Sequence, residues 1–248
     1  MGFCIITDSA SDVPESVIKE YNLHVMPTPV TIEGTDYFDG ETIFPDQFYE
    51  IQASGKEIKT YHISQYMFEE HFRPFAARGD EVLYICFSTG IAGTFNAAKL
   101  AYEEIREEYP DFKMTIIDSK CASLGYGLIA ERLLRMQKNG APKELLIEAA
   151  YFFCEHMEHA VTVVELNYLF QGGRLSRTSF LAGTVLDIKP IIIVDEAGSL
   201  KAVEKVRGWK KAQKRILDMV GEKGKNLENQ VIGAVYGMDR EAFDYILQ

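Results

Sequence analysis

The sequence predicts an α/β protein of two domains. The first carries a parallel sheet with helices on both faces, and the second is an α/β domain with a mixed sheet and helices. Three observations carry this. Short apolar runs at Phe3–Thr7, Val82–Phe87 and Phe112–Ile117 are each followed by a helix-patterned segment, which is the signature of βαβ units. Each run ends in a turn of hydroxyl, acid or glycine: Thr7-Asp8-Ser9, Ser88-Thr89-Gly90 and Asp118-Ser119. After about residue 158 the texture changes, and two runs flank Asp195-Glu-Ala-Gly198 as an antiparallel hairpin. The expected domains are therefore 1–158 and 159–248.

Phe3–Thr7 reads as a central strand. Asp12, with Glu15 three residues on, matches a capping box, and Pro14 suits the first turn of a helix running to Tyr21. Leu23–Val30 reads as a second strand, with Pro27 and Pro29 pushing it to the sheet edge or beyond. Glu33-Gly34 is a turn, and Pro45–Ala53 is helical. Ser64 is placed to cap a helix that runs to Ala77 or Arg78 through Pro74.

Further helices are expected from about Phe95 to Tyr109, from Ser123 to Lys138 with Asn139-Gly140 as its stop, and from Lys143 to Glu155. Beyond these come a strand at Ala160–Leu166, a helical turn at Asn167–Phe170, the hairpin 188–194 and 200–206, a basic helix, and a strand at Gln230–Tyr236. A last helix begins near Arg240.

The chain has 248 residues and a net charge of −11, which argues against general nucleic-acid affinity. Cys4, Cys86, Cys121 and Cys154 form no C-x-x-C pair and read as free thiols of a reducing cytoplasm. No apolar run reaches about 18 residues and no basic segment precedes an apolar one, so neither a membrane span nor a signal peptide is expected.

The stretch Ser88-Thr-Gly-Ile-Ala-Gly-Thr94 lies between a strand and a helix. Backbone N–H groups and hydroxyls at a helix start suit a phosphate or a carboxylate. It lacks the lysine of a P-loop and the three-glycine spacing of a dinucleotide loop. Two functions are thus open, an enzyme or binding protein for a small phosphorylated metabolite and a carboxylate binder, beside a plain connection. Asp8, Asp39 and Asp118 suggest hydrolase acids, but acids after parallel strands also cap helices. Cys154, Glu155, His156 and His159 match no strong zinc spacing, so no metal is expected. Lys201–Lys225 holds nine Lys or Arg against three Asp or Glu, either a solvated helix face or a docking surface.

In this order the sequence resembles the DegV family of bacterial fatty-acid-binding proteins. The match rests on Thr7-Asp8-Ser9, Tyr37-Phe38-Asp39-Gly40, Lys59-Thr60 with Ser64, Ser88–Thr94, and Asp118-Ser119 with Ser123–Gly127. Gly172-Gly-Arg174, Ile188-Lys-Pro190, Gly198 and Lys205–Gly208 complete it. The resemblance implies a long-chain fatty acid buried between two domains, with its carboxylate held near Thr60, His62, Ser64, Ser88, Thr89, Gly90, Ala92, Gly93 and Thr94. Asp8, Ser9, Asp118 and Ser119 would form neighbouring strand-end loops. Arg174 and Arg207 would lie at the entrance or face a partner.

The resemblance further implies a lipid carrier without catalytic residues or cofactor. A separate fatty acid kinase subunit would phosphorylate the carboxylate, and the carrier's partners would be the fatty acid, that subunit and, transiently, a membrane. Three departures are visible. The family's Thr-Ser-Gln-Pro-Ser reads Thr60-Tyr-His-Ile-Ser64, and Ala92 stands where the family has a serine that binds the carboxylate. Losing that hydroxyl removes a charge-assisted bond worth about 1.5–3 kcal/mol unless water or His62 replaces it. The chain also stops inside a helix, whereas the family continues for some tens of residues, so truncation is expected.

Overall fold

A computed structural model of the chain describes residues 2–164, 166–175 and 187–247. It divides into two compact units, Met1–His156 and Met157–Gln248.

The first unit is built on a parallel sheet of β1 (Phe3–Asp8), β2 (His24–Met26), β6 (Glu81–Cys86) and β7 (Lys113–Asp118) in the order β2-β1-β6-β7. Ile6 pairs with Tyr84, Tyr84 with Ile116, and Cys86 with Asp118, so β1, β6 and β7 end at one level. On one face lie α3 (Gln65–Arg78) and α4 (Thr94–Glu108). Phe68, Phe72, Ala98, Ala101 and Ile105 pack there on Ile6, Val82 and Tyr84 in a single core. α5 (Leu124–Lys138) packs against β1 and β6, and the buried Ile5, Leu83 and Ile85 alternate with the first set toward the other face. α1 (Glu15–Tyr21) and α6 (Lys143–His156) complete the helices around this sheet. Pro74 is carried within α3.

The expected strand Leu23–Val30 is broken. Its first half is the edge strand β2, and β3 (Pro29–Ile32) leaves for a separate antiparallel sheet with β4 (Thr35–Phe38) and β5 (Ile58–Thr60), in the order β4-β3-β5. Pro27 and Pro29 supply no ladder N–H, which ends one sheet and starts the other. α2 (Pro45–Ala53) folds over this small sheet, with Phe48 and Ile51 against Val30, Ile32 and Ile43. The expected capping box at Asp12 is absent. Pro14 is the N-cap of α1, and Asp12 sits in a left-handed turn and accepts a hydrogen bond from Ser123. Ser123 stands at the N-cap of α5 but makes no side-chain capping hydrogen bond.

The second unit holds β8 (Val161–Thr162), α7 (Asn167–Gln171), β9 (Ile188–Val194), β10 (Leu200–Arg207), α8 (Trp209–Lys223) and α9 (Arg240–Ile246). β9 and β10 form the expected hairpin, and the order β10-β9-β8 is antiparallel throughout the described residues rather than mixed. Gln230–Tyr236 forms no strand, and Val231, Ile232 and Val235 are exposed. The strand expected at Ala160–Leu166 shrinks to two residues. α8 lays Ala212, Met219 and Ile216 against Ile191 and Val206.

Candidate functional site

The site is assembled where two connections meet. The first joins β5 to α3. Thr60 is the last residue of β5 and pairs with Val30, so its backbone is fixed while its side chain is exposed. Tyr61 donates its N–H to the Pro29 carbonyl at 3.2 Å, and Ile63 is fully buried, which pins the loop at both ends. Ser64 is the N-cap of α3, its Oγ accepting from the Met67 N–H at 3.3 Å.

The second connection joins β6 to α4. Ser88 is buried, and its carbonyl accepts the Ile91 and Ala92 amides at 3.1 Å, while its Oγ accepts the Gly90 amide. The loop is therefore one tight turn. Thr89 is tied sideways: its N–H and its Oγ1 both donate to the Asp118 carboxylate, at 3.1 and 2.6 Å. Asp118 also accepts from the Lys120 amide. Gly93 is the N-cap of α4 and brings no side-chain oxygen, so no side-chain cap covers the first turn of this 15-residue helix. That end of the helix carries partial positive charge and prefers an anion.

The two connections approach each other at His62 and Gly93. A Cβ placed on Gly93 would meet His62 Cε1, Nδ1 and Nε2 at 3.4–3.5 Å. Three ring atoms at nearly one distance mean that the imidazole turns its face toward the position a side chain at 93 would take. Thr60, His62 and Ser64 are thus on one side of this approach and Ser88–Thr94 on the other. Of the hydroxyls predicted for the site, Ser64 serves as a helix cap, Thr89 is engaged with Asp118, and Thr94 is buried at the start of α4.

The strand-end residues have structural partners. Ser9 Oγ accepts the Thr28 amide at 3.0 Å, and Ser119 Oγ accepts the Cys121 amide at 3.1 Å. Asp8 is almost wholly buried and accepts from Tyr84 Oη at 2.7 Å and Tyr126 Oη at 2.6 Å. Burial pushes its carboxyl up to about 6, against the two tyrosines and weaker backbone hydrogen bonds from Ala10 and Phe87, which favour the charged form. Neither tyrosine is visible as a site residue in the sequence, since both sit in apolar-patterned segments. Arg174 and Arg207 lie in the second unit, the first donating to the Gly172 carbonyl at 2.5 Å and the second exposed at the end of β10.

Among the described residues no group of three His, Cys, Asp or Glu is placed to hold a metal, and His156 stacks on Phe152 at 4.2 Å. The four cysteines are free thiols, and burial pushes Cys154 up to about 12. In the basic segment, Lys214 pairs with Asp218, Arg215 with Glu204 and Glu222, and Lys223 with Glu158. A cleft of about 190 Å³ beside α3 is lined by Pro27, Phe38, Glu41, Tyr66, Met67, Glu70 and His71, with no lysine or arginine. Among the described residues no helix is long and apolar enough to cross a membrane.

Residues 3–248 match the model of the DegV family, described as an uncharacterised protein family. A DegV domain-containing protein of Caldanaerobacter subterraneus is 34% identical over 239 residues, which is 96% of this chain and 83% of that protein. The fold is similar to a fatty-acid-binding DegV family protein of Thermus thermophilus, with a TM-score of 0.79 and 27% identity over 91% of this chain and 79% of that one. It is equally similar to a stearic-acid-binding protein of Eubacterium ventriosum, with a TM-score of 0.79 and 27% identity over 92% and 79% of the two chains.

Proposed function

The chain belongs to the DegV family, and from that premise we propose that it binds a long-chain fatty acid, with the carboxylate between the Thr60–Ser64 connection and the Ser88–Thr94 loop. The observation that carries this is the close approach of His62 to Gly93, which brings the two connections side by side. Thr60 offers an exposed hydroxyl, and the uncapped start of α4 offers backbone donors. Two solved relatives at 27% identity are described as binding fatty acids.

The acyl chain supplies most of the affinity. Burying some 16 carbons gains about 0.8 kcal/mol per CH₂, roughly 12 kcal/mol before the costs of association. The head group then sets orientation. That division tolerates Ala92, whose methyl offers no hydrogen bond.

In this reading the protein is a cytoplasmic carrier and not an enzyme. It presents the carboxylate to a separate kinase subunit, which forms the acyl phosphate, and Arg174 and Arg207 face the entrance or that partner. A phosphorylated metabolite fits less well. The hydroxyl of Thr89, which a phosphate on this loop would use, is held by Asp118.

Mass spectrometry of an organic extract of the purified protein tests the reading. A stoichiometric C14–C18 fatty acid is expected. An extract without one, together with no uptake of added oleate, would move the phosphate ligand to first place.

A further inference from the structure

Asp8 stands apart from the other strand-end acids. Asp118 is at the surface and ties Thr89, whereas Asp8 is 1% exposed and no cation pairs with it among the described residues. A buried carboxylate held by neutral donors alone is costly to keep charged. Its contacts reach the candidate site by a short path. Tyr126 Oη donates to Asp8 Oδ1, and the Tyr126 ring stacks on Phe87 with centroids 5.7 Å apart and planes 25° apart. Tyr84 Oη donates to Oδ2 and sits on β6 three residues before Phe87. The Phe87 amide is itself turned to the carboxylate. Phe87 is the residue before Ser88, whose carbonyl closes the turn onto Ile91 and Ala92.

We propose that Asp8 is a positioning residue that fixes the start of the 88–94 loop through Tyr84, Tyr126 and the Phe87 amide, and that protonation of its carboxylate slackens this loop. A charged carboxylate accepts from all of these donors at once. A neutral one gains an O–H that must itself be accepted, so a tyrosine hydroxyl has to turn and the grip on Phe87 weakens. The consequence for head-group binding rests on the function proposed above. The groups facing Asp8 are Tyr84 and Cys86 from β6, Tyr126 from α5 and Asp12 from the turn after β1, with Asp118 acting on Cys86 from the end of β7. Burial raises both tyrosines and Cys86 well above their usual values. Burial holds Asp8 near 6, so the loop should change between about pH 7 and 5.

Hydrogen exchange on the lipid-free protein tests this without reference to any ligand. Asp8→Asn should speed exchange at residues 87–92 on the order of tenfold at pH 7.5, with the core of β6 unchanged. Wild-type protein taken to pH 5, after correction for intrinsic rates, should show the same rise. Unchanged protection in both experiments overturns the proposal. Tyr126→Phe removes a donor that favours the charged form, so it should move the wild-type midpoint to higher pH. An unmoved midpoint overturns the proposal even if Asp8→Asn fails to fold. Oleate titrations run beside these separate the two readings. If wild-type protein takes up no oleate, the proposed function fails and the exchange result stands. If Asp8→Asn frees the loop yet binds oleate as wild type does, the link from Asp8 to the head group is wrong.

Discussion

The imidazole of His62 faces Gly93 across the space a Cβ would fill, and this approach brings a connection of the small antiparallel sheet beside a connection of the parallel sheet. Gly93 has φ −78° and ψ 4°, angles open to any residue, so neither its conformation nor the ring demands a glycine. An alanine Cβ at 3.4 Å from the ring is ordinary contact, and Gly93→Ala should leave both fold and binding near wild type. Gly93→Val should lift the imidazole off the loop. Oleate affinity measured by fluorescence displacement should fall about tenfold with Ala at most twofold affected, since the loss is that of one hydrogen bond of about 1.5 kcal/mol. Equal affinities for the two variants would remove His62 from the site.

Thr60 gives a cleaner test of the head group. Its backbone is held by Val30 and its side chain is exposed, so Thr60→Ala should change the melting temperature little. Loss of a hydrogen bond to a carboxylate costs about 1.5–3 kcal/mol, so oleate should bind at least tenfold more weakly, or its head group should become mobile. Unchanged affinity with an ordered head group would move the carboxylate elsewhere.

The elements that the sequence made legible are those set by local rules. Ser64 caps α3 because hydroxyl, spacing and apolar run coincide, and the prolines near residue 28 mark the end of β2. Asp12 and Glu15 satisfied the same local rule and still failed, because Ser123, over a hundred residues away, takes the Asp12 carboxylate. Gln230–Tyr236 has strand composition, but no described neighbour offers it a ladder. The Thr89–Asp118 tie and the tyrosines around Asp8 depend on the β1-β6-β7 register, which no single stretch encodes. The loops of the site were therefore readable, and the second layer that holds them was not.

Gly127 reports on that second layer. It lies in α5 where the helix crosses the turn after β1, and a Cβ there would come within 2.2 Å of the Ser11 carbonyl oxygen and 3.1 Å of Val13. Backbone oxygen cannot swing aside as a side chain does. Gly127→Ala should destabilise the protein by about 2–4 kcal/mol in urea melts, although alanine is the better helix former. A neutral or stabilising result would mean that α5 sits further from this turn.

Asp8 and His24 should give the stability of the protein opposite dependences on pH. Burial, then the neighbouring His71 and Arg78, pushes His24 down to about 4, and its Nε2 lies 3.2 Å from His71 Nδ1. The folded state thus resists protonating His24, and the stability linked to it is present above about pH 6.5 and lost as pH falls toward 4. Asp8 has the reverse sign. Its folded value of about 6 exceeds the unfolded one, so the fold takes up a proton more readily and gains stability as pH falls from about 6 toward 3.8. At 1.36 kcal/mol per unit each shift is on the order of 3 kcal/mol, so the two largely offset one another between about pH 6 and 4. Urea melts at pH 7.5 and 5 separate them. His24→Gln should leave the Asp8 gain exposed, making that variant relatively more stable at pH 5 than wild type. Asp8→Asn should be more stable than wild type at pH 7.5 and lose more of its stability on acidification. If both variants keep the wild-type slope, neither group titrates as its surroundings require.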